Sequence, residues 1–547
     1  MLFRSAAARF FESLDTAELA GGLAGHYLAA QRLAADAAEA DALAAQARVA
    51  LRGAAERAAS LGSHEQAITF INQALEVTIE PADRAELHER ARASAIQGLL
   101  ADVAVSHAER AVEERRKSGD RPATARAIIQ LARVIRFELS DPSRALSLFS
   151  AAWEEFADLH ETALGVAIMG GIAASYRGLN DVPNALTWMD RVSPLAERLG
   201  VLDETVRGIV GRGSVLTTRG RPREGLILLR GAQQLADASD FRDIELQARV
   251  LLTFFEQWSE PAAGLALGRE GFEIAKRLGS RAYGFQMLGN SVINALRVGE
   301  WDWAASILDE WLSAQTTAAF WAEAYADRAI LRSLRGTDAS ADVAAATSLR
   351  ETITDPQFES YELMARAWAA FAGGDLPAAR AKAERAAELT DYFAPLTYSL
   401  AVRTALWEGD AAETSRVISA MRAENFWGLA LEVDRAAARA GLAALEGRGP
   451  DALAGYREAL RAYRQLGLAF DEAAAAVDAA TLLALPERDA PDVQAATAAA
   501  RETLTRLGAR PFLARLERGA HARRAPAARG GAQVERAADA VGPPSGS

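Results

Sequence analysis

The stretch GLNDVPNALTWMDRVSPLAERLG, residues 178–200, contains the pattern that decides the fold. Within it a small residue, Ala185, is followed four positions later by Met189 and three positions after that by Val192. The spacing i, i+4, i+7 places these three side chains on one face of a helix. Because small residues let two helices approach closely and a larger residue fills the groove between them, this face is expected to pack against a neighbouring helix.

The same triplet recurs along the chain at a nearly constant step. Its clear copies begin at Ala67, Ala104, Ala145, Ala185, Gly225, Gly264, Ala304, Ala379 and Ala452. The first seven copies are separated by 37, 41, 40, 40, 39 and 40 residues, and the later gaps of 75 and 73 residues each fit two repeats. Weaker copies are expected near Val343, Ala412 and Val493. A period of this size is typical of stacked helix pairs.

Two sets of glycines follow the same register and indicate where the helices end. A glycine in the left-handed conformation commonly terminates a helix. The set that precedes the triplet and is expected to end the first helix of a pair is Gly62, Gly178, Gly220, Gly299, Gly336, Gly374 and Gly447. The set that follows the triplet and ends the second helix is Gly119, Gly200, Gly279, Gly467 and Gly508.

These patterns predict an all-α fold, a tetratricopeptide-like right-handed superhelical solenoid of about twelve antiparallel helix pairs. The period near 40 residues also fits HEAT-type repeats, whose period is ~40–47 residues, but the small–large–small triplet favours the tetratricopeptide type. Residues 1–33, with helices expected at Ser5–Leu14 and Thr16–Leu33, are interpreted as an N-terminal cap or the remnant of a preceding ATPase-linked domain. Residues 34–515 are expected to form the solenoid. Residues 516–547 are expected to be disordered, because a tail rich in Ala, Arg, Gly and Pro cannot bury a core.

The composition excludes several classes of function. A net charge of −12 argues against a protein that grips nucleic-acid phosphates. The absence of cysteine excludes disulfides and thiolate chemistry. No apolar run reaches the ~18 residues of a membrane span, and residues 1–15 do not form a signal peptide, so we expect a cytoplasmic protein with no membrane partner.

A search for catalytic motifs gives no candidate. The chain has three lysines, Lys117, Lys276 and Lys382, and none follows a glycine as a phosphate-binding P-loop requires. His64 and His160 each precede a glutamate as in a zinc-protease helix, but the second histidine of that motif is missing in both places. We therefore expect a protein that is not an enzyme and has no cofactor, metal site or catalytic residue.

Aromatic residues are concentrated in the middle of the chain. Eight of the ten tryptophans lie between residues 258 and 427. They either provide bulkier core packing in these repeats or line a groove for a ligand or peptide. The residues that we select as a candidate contact surface are Trp258, Trp301, Trp303, Trp321, Tyr325, Tyr361, Trp368, Trp407 and Trp427.

The two ends of the chain carry the segments AAARFFESL (6–14), ELAGGLAGHYLAA (18–30), AAERAASLG (54–62) and LTRLGARPFL (504–513). Together they resemble the tetratricopeptide region of bacterial signal-transduction ATPases, many of which also carry an adenylate/guanylate cyclase domain. The chain is also similar to the repeat domain of maltose-activator-type regulators. The resemblance implies a non-catalytic scaffold that binds a protein, a peptide or a small effector in a signalling protein of the cyclase/ATPase type, or alternatively a sensor domain related to ATP-dependent transcription activators. Cyclase or ATPase activity would reside in absent upstream domains, and no functional residue can be carried over, because the cyclase and P-loop residues are missing.

Overall fold

The computed structural model describes residues 20–313, 318–353, 355–390, 392–423 and 426–524. Of these residues 85% are helical, and no β-strand occurs among them. The predicted all-α class is therefore confirmed.

The helices form twelve antiparallel pairs, preceded by α1 (Ala20–Gln31) and followed by α27 (Arg510–Arg524). The first helices of the pairs are α2 (Ala37–Ser60), α4 (Pro81–Gln97), α6 (Arg121–Glu138), α8 (Ala163–Gly178), α10 (Leu202–Thr218), α12 (Arg242–Ser259), α14 (Arg281–Val298), α16 (Ala318–Arg335), α18 (Pro356–Ala372), α20 (Ala394–Glu408), α22 (Leu429–Leu445) and α24 (Ala469–Leu482). The second helices are α3 (His64–Glu76), α5 (Ala101–Ser118), α7 (Pro142–Glu155), α9 (Val182–Leu199), α11 (Pro222–Ala238), α13 (Pro261–Arg277), α15 (Trp301–Ser313), α17 (Ser340–Arg350), α19 (Leu376–Leu389), α21 (Ala411–Ala423), α23 (Gly449–Gln465) and α26 (Pro491–Leu507). A single helical turn, α25 (Leu485–Arg488), lies inside the last pair.

The triplet is the buried face of the second helices. All nine clear copies lie there with their three members buried, as the i, i+4, i+7 spacing predicts. Two of the three weaker copies are displaced by a residue or two. The buried face of α17 begins at Asp342, whose carboxylate pairs with Arg328 at 2.7 Å, and that of α21 begins at Thr414. Both positions carry polar side chains, which is why the apolar pattern placed them wrongly.

The predicted glycine positions also agree with the turns at the ends of the helices. All the predicted terminating glycines except Gly178 have positive φ, and Gly409, with φ 78°, performs the same role without having been predicted. Gly178 does end α8 as expected, but it is not left-handed; it lies close to Pro142, and Asn180 two residues later takes the left-handed conformation with φ 59°. Asparagine tolerates that conformation because its short side chain bonds to the local backbone.

The boundaries of the solenoid differ from the prediction at the C-terminus. Helix α27 continues to Arg524, beyond position 516 where the disordered tail was expected to begin. Phe512 and Leu516 are 0% and 2% exposed, so this helix covers the end of the last pair. The rest of the expected tail, residues 525–547, and the expected helix Ser5–Leu14 lie outside the described residues. No helix in the described ranges has the length and apolar character needed to cross a bilayer.

The first helices line the inside of the superhelix. Helix α12 buries 13 of its 18 residues, whereas its partner α13 buries 6 of 17, so the first helix is covered on two sides. The second covering comes from distant repeats. Helix α12 of the sixth pair contacts α22 of the eleventh, α14 contacts α24, and α16 contacts α27. First helices about five pairs apart therefore meet inside the superhelix, where they enclose cavities.

Candidate ligand-binding cavities inside the superhelix

Four of the nine candidate aromatic residues are buried in the structure. Trp258, Trp301, Tyr361 and Trp407 are each 8% exposed or less. The Trp301 Nε1–H donates to the Leu296 carbonyl at 2.9 Å, and the Trp407 Nε1–H donates to Asp478 at 2.7 Å. These rings pack between helices, some of them far apart in the chain, and do not form an open surface.

The other five candidates, Trp303, Trp321, Tyr325, Trp368 and Trp427, are partly exposed. The rings of Trp303 and Trp427 are each covered by the guanidinium of an arginine that belongs to the second helix of another pair. The guanidinium carbons lie 4.3 and 4.1 Å from the ring centroids. Trp368 lines a cavity enclosed by α14, α16, α18, α20, α22 and α24. The structure therefore distributes the nine residues over several environments and does not bring them together in one groove.

Two adjoining cavities open toward the inside of the superhelix. The larger, which we call the arginine cavity, has a volume of about 400 Å³ and is lined by α4, α6, α8, α10, α12 and α14 and by part of α9. The smaller, which we call the aromatic cavity, has a volume of about 220 Å³ and lies against Phe254, Phe320, Tyr361, Tyr392 and Phe393. The two cavities share lining residues, which are Arg136, Phe137, Arg177 and Gln247.

The wall of the arginine cavity carries more positive than negative charge. Its arginines are Arg92, Arg133, Arg136, Arg177 and Arg207, and its carboxylates are Glu138, Glu204 and Asp243. Arg133 pairs with Glu204 at 2.8 Å, and Arg207 pairs with Asp243 at 2.8 Å. Two of the five arginines are therefore neutralised by ion pairs.

The remaining three arginines form no ion pair with a described carboxylate. Arg177 Nη1–H donates to the Tyr392 hydroxyl at 3.1 Å, and Arg92 Nη1–H donates to Gln130 Oε1 at 3.4 Å. The Nε atoms of Arg92 and Arg136 are buried and have no hydrogen-bond partner among the described residues. The pKa of Arg136 is lowered to about 10, chiefly by burial and next by the charge of Arg177. Arg136 thus remains a cation in an unfavourable environment.

Glu138 compensates only part of this positive charge. Burial raises the pKa of Glu138 to about 7, and its Oε2 atom has no hydrogen-bond partner among the described residues. The amide oxygens of Gln97 and Gln247, both on the cavity wall, are also buried without a partner in the part of the chain that the structure describes. Buried polar atoms are usually hydrogen-bonded, so these atoms can bond to a molecule that enters the cavity.

The aromatic cavity has carboxyl groups among its rings. Burial raises the pKa of Glu323 to about 8 and the pKa of Asp355 to about 6. Asp327, one turn after Glu323, accepts a hydrogen bond from the Tyr361 hydroxyl and has a raised pKa for the same reason. Around neutral pH the Glu323 carboxyl is therefore largely protonated and adds little negative charge to the inner wall.

The chemistry of these walls is suited to binding. Within the described residues no group of three His, Asp or Glu side chains has an arrangement that could hold a metal ion. The cavities offer guanidinium groups, amides, a tyrosine hydroxyl and aromatic rings, which recognise a ligand by charge, hydrogen bonds and contact area.

Sequence reasoning missed the inner arginines. Arg133 and Arg136 lie three residues apart on α6, which buries 11 of its 18 residues, among them Leu131, Val134 and Ile135. Arginine between the apolar residues of such a helix was the available signal. It looked ordinary because basic residues are common in the last turn of a helix.

No protein-family model matches the chain, and no curated protein matches it. Among solved structures, the crystal structure of yeast Tom70 is similar with 13% identity and a TM-score of 0.25 over 86% of this chain and 99% of that chain. A circular tandem repeat protein with novel repeat topology matches with 16% identity and a TM-score of 0.14 over 95% of this chain and 99% of that one. The assignment of the fold accordingly rests on the helix pairs themselves.

Proposed function

We propose that the protein is a non-catalytic, effector-sensing scaffold that binds a small ligand inside the superhelix and contacts a protein partner through its repeats. The observation that carries the proposal is the arginine cavity, about 400 Å³ in volume, with buried polar atoms that the fold leaves without partners. Small-molecule sites have volumes of ~300–1,000 Å³ and place a few polar groups in a concave wall.

The signalling context comes from the resemblance of the chain ends to bacterial cyclase/ATPase proteins. In that setting, binding of an effector shifts the conformational equilibrium of the solenoid, and this shift changes the state of a catalytic domain. The alternative is a sensor related to ATP-dependent transcription activators, in which the same cavity would serve a DNA-binding partner. The identity of the protein that co-purifies with the chain distinguishes the two.

The cavity proposal is tested by filling the cavity. Gly208 lies on the wall of the arginine cavity in helix α10, and a Cβ atom there would meet only Val192 Cγ1, at 3.9 Å. Gly208→Leu therefore places a side chain in the cavity without a backbone clash. The control is Gly231→Leu on the exposed surface of α11, where an added Cβ atom has no neighbour within 4 Å.

We expect at least one ligand from a diverse set of sugars, polyamines, organic acids, phosphate esters and peptides to raise the melting temperature of the wild type. Gly208→Leu should abolish that increase, and Gly231→Leu should retain it. If no compound in the set raises the melting temperature of the wild type, or if the stabilising compound also raises that of Gly208→Leu, the cavity is not an effector site.

A further inference from the structure

We propose that the arginine cavity binds a small organic anion carrying a phosphate group or two carboxylates, held by Arg92, Arg136 and Arg177. This inference rests on the proposed function of the cavity as the effector site, and it specifies the chemical class of the effector.

The wall of the arginine cavity carries a surplus of positive charge. Five arginines face three carboxylates, and two of those carboxylates are occupied by Arg133 and Arg207. Moving a guanidinium out of water without a counter-charge is strongly unfavourable. Burial lowers the pKa values of Arg92 and Arg136, and Arg177 beside them has no described carboxylate partner. An anion that pairs with these three groups when it binds is the simplest explanation of the arrangement.

The neighbouring acidic groups reduce this surplus but do not remove it. Glu138 has no ion pair with a described arginine and is partly protonated at neutral pH. Asp355, which caps the start of α18 in the aromatic cavity, accepts a hydrogen bond from the backbone N–H of Gln357 at 2.9 Å. Among the described residues it forms no ion pair with Arg136 or Arg177. Because Asp355 offsets part of the positive charge, the cavity accommodates about two negative charges and not more.

The geometry of the arginine side chain selects the ligand group. A guanidinium presents its N–H donors as a planar fork that matches the oxygens of a carboxylate or a phosphate. Arg136 and Arg177 line both cavities, so an anion bound between them lies at the junction. The remainder of the ligand can then extend along Phe137 toward the aromatic cavity, where rings provide apolar contact.

A nucleic acid does not fit this arrangement. Nucleic-acid sites present basic residues as an open stripe that follows the phosphate backbone. Here the arginines line a cavity enclosed by seven helices, and the whole chain has a net charge of −12. A small anion can enter such a cavity, whereas a polyanion cannot reach the guanidinium groups.

The proposal is tested by isothermal titration calorimetry of the full chain with named probes. Glucose 6-phosphate, glycerol 3-phosphate and phosphoenolpyruvate represent phosphates, succinate and 2-oxoglutarate represent dicarboxylates, and glucose and glycerol are neutral controls. We expect one of the two anionic series to bind. Arg136→Met should weaken that binding by about tenfold or more, as expected for the loss of a charged hydrogen-bonding partner.

The matched control is Arg126→Met, ten residues earlier on the same helix and exposed to solvent, which should leave binding unchanged. Without ligand, Arg136→Met should melt at a higher temperature than the wild type, because it removes a buried charge that is repelled by Arg177. Arg177→Gln provides a second variant with the same expected loss of binding.

Several outcomes would overturn the proposal. The proposal fails if anions bind Arg136→Met and Arg177→Gln as tightly as they bind the wild type. It also fails if unliganded Arg136→Met melts at a lower temperature than the wild type, because Arg136 would then be a structural arginine. Binding of glucose or another neutral ligand that Gly208→Leu abolishes would reject the anion and leave the effector site standing. If no probe in the anionic or the diverse set binds, both proposals fail.

Discussion

At the scale of single residues, the inside of the superhelix is notable for carboxyl groups that burial keeps protonated. Glu323 and Asp327 lie one turn apart on α16, and both have raised pKa values because burial penalises the charged form. Within the described ranges, the Asp327 Oδ2 atom has no hydrogen-bond partner. Such groups make the stability of the fold depend on pH in a direction opposite to that of a salt bridge.

Glu323→Gln should remove part of this pH dependence. The pKa of Glu323 is about 8 in the folded chain, against ~4.3 for an unperturbed glutamate, so the folded state binds the extra proton between these values. The contribution of Glu323 is therefore fully present below about pH 4.3 and is lost as the pH rises toward 8. In urea unfolding at pH 5, 6, 7 and 8, the free energy of unfolding of the variant should rise relative to that of the wild type by up to about 1.4 kcal/mol per pH unit.

The matched control for this experiment is Glu310→Gln, an exposed glutamate on α15. Its free energy of unfolding should remain parallel to that of the wild type over the same pH range, since every other titrating group is shared. A Glu323→Gln curve that also runs parallel to the wild type would mean that this carboxyl is ionised and solvated in the folded chain.

At the scale of helices, one arginine joins distant repeats. The guanidinium of Arg297 on α14 donates to Asp434 on α22 at 2.8 and 3.0 Å and to Asp471 on α24 at 2.6 Å. Its Nη1–H also donates to the Gln257 carbonyl on α12 at 2.9 Å, and the Tyr463 hydroxyl donates to Asp434 at 2.8 Å. One buried side chain therefore fixes the positions of inner helices that belong to repeats far apart in the chain.

Replacing Arg297 with methionine should cost roughly 3–5 kcal/mol of unfolding free energy, because two buried carboxylates would lose their counter-ion. Urea unfolding at pH 7 measures the cost. The further changes Asp434→Leu and Asp471→Leu in the same chain should recover most of it, since the uncompensated charges are then removed as well.

The control for Arg297→Met is Arg457→Met, which breaks an exposed ion pair with Asp492 and should lower the free energy of unfolding by less than ~1 kcal/mol. An equal cost for Arg297→Met and Arg457→Met would mean that the buried network does not hold the helices together. A failure of the apolar triple variant to recover stability would assign the loss to packing and not to charge.

At the scale of the whole molecule, contacts between distant repeats set this protein apart from a simple linear array. In such arrays each repeat contacts only its neighbours, and stability is nearly a sum of local terms. Here one hydrophobic cluster runs from Leu99 and Val206 to Leu516, because first helices five pairs apart meet inside the superhelix. A separate hydrophobic cluster, formed by residues between Ala24 and Ala91, lies among helices α1 to α4.

Hydrogen exchange measured by mass spectrometry under native conditions should therefore divide the chain into unequal units. Helices α1 to α4 should open at lower free energy, and helices α12 to α24 should open together near the free energy of global unfolding. Arg297→Met should lower protection throughout the second group and leave the first unchanged. Protection that declines equally toward both ends of the chain would instead indicate a linear array.

The local rules were sufficient to predict the helix pairs from the sequence. The i, i+4, i+7 triplet and the terminating glycines depend on neighbours within one or two turns, so they predicted twelve pairs and most turns. The exceptions were positions such as Asp342 and Asn180, where a polar side chain takes a place that the pattern reserves for an apolar residue or glycine.

The interior could be decided only by the tertiary structure. Whether an arginine finds a hydrogen-bond partner or a counter-ion depends on helices that lie far away in sequence. Arg177 bonds to the Tyr392 hydroxyl and Arg297 pairs with Asp434. The same holds for the aromatic residues, since Trp407 is buried by contacts that include Asp478, 71 positions later. Periodicity specifies which face of a helix is buried against its neighbour. It contains no information about which distant repeat covers the other face, because that depends on the accumulated rotation of five successive pairs.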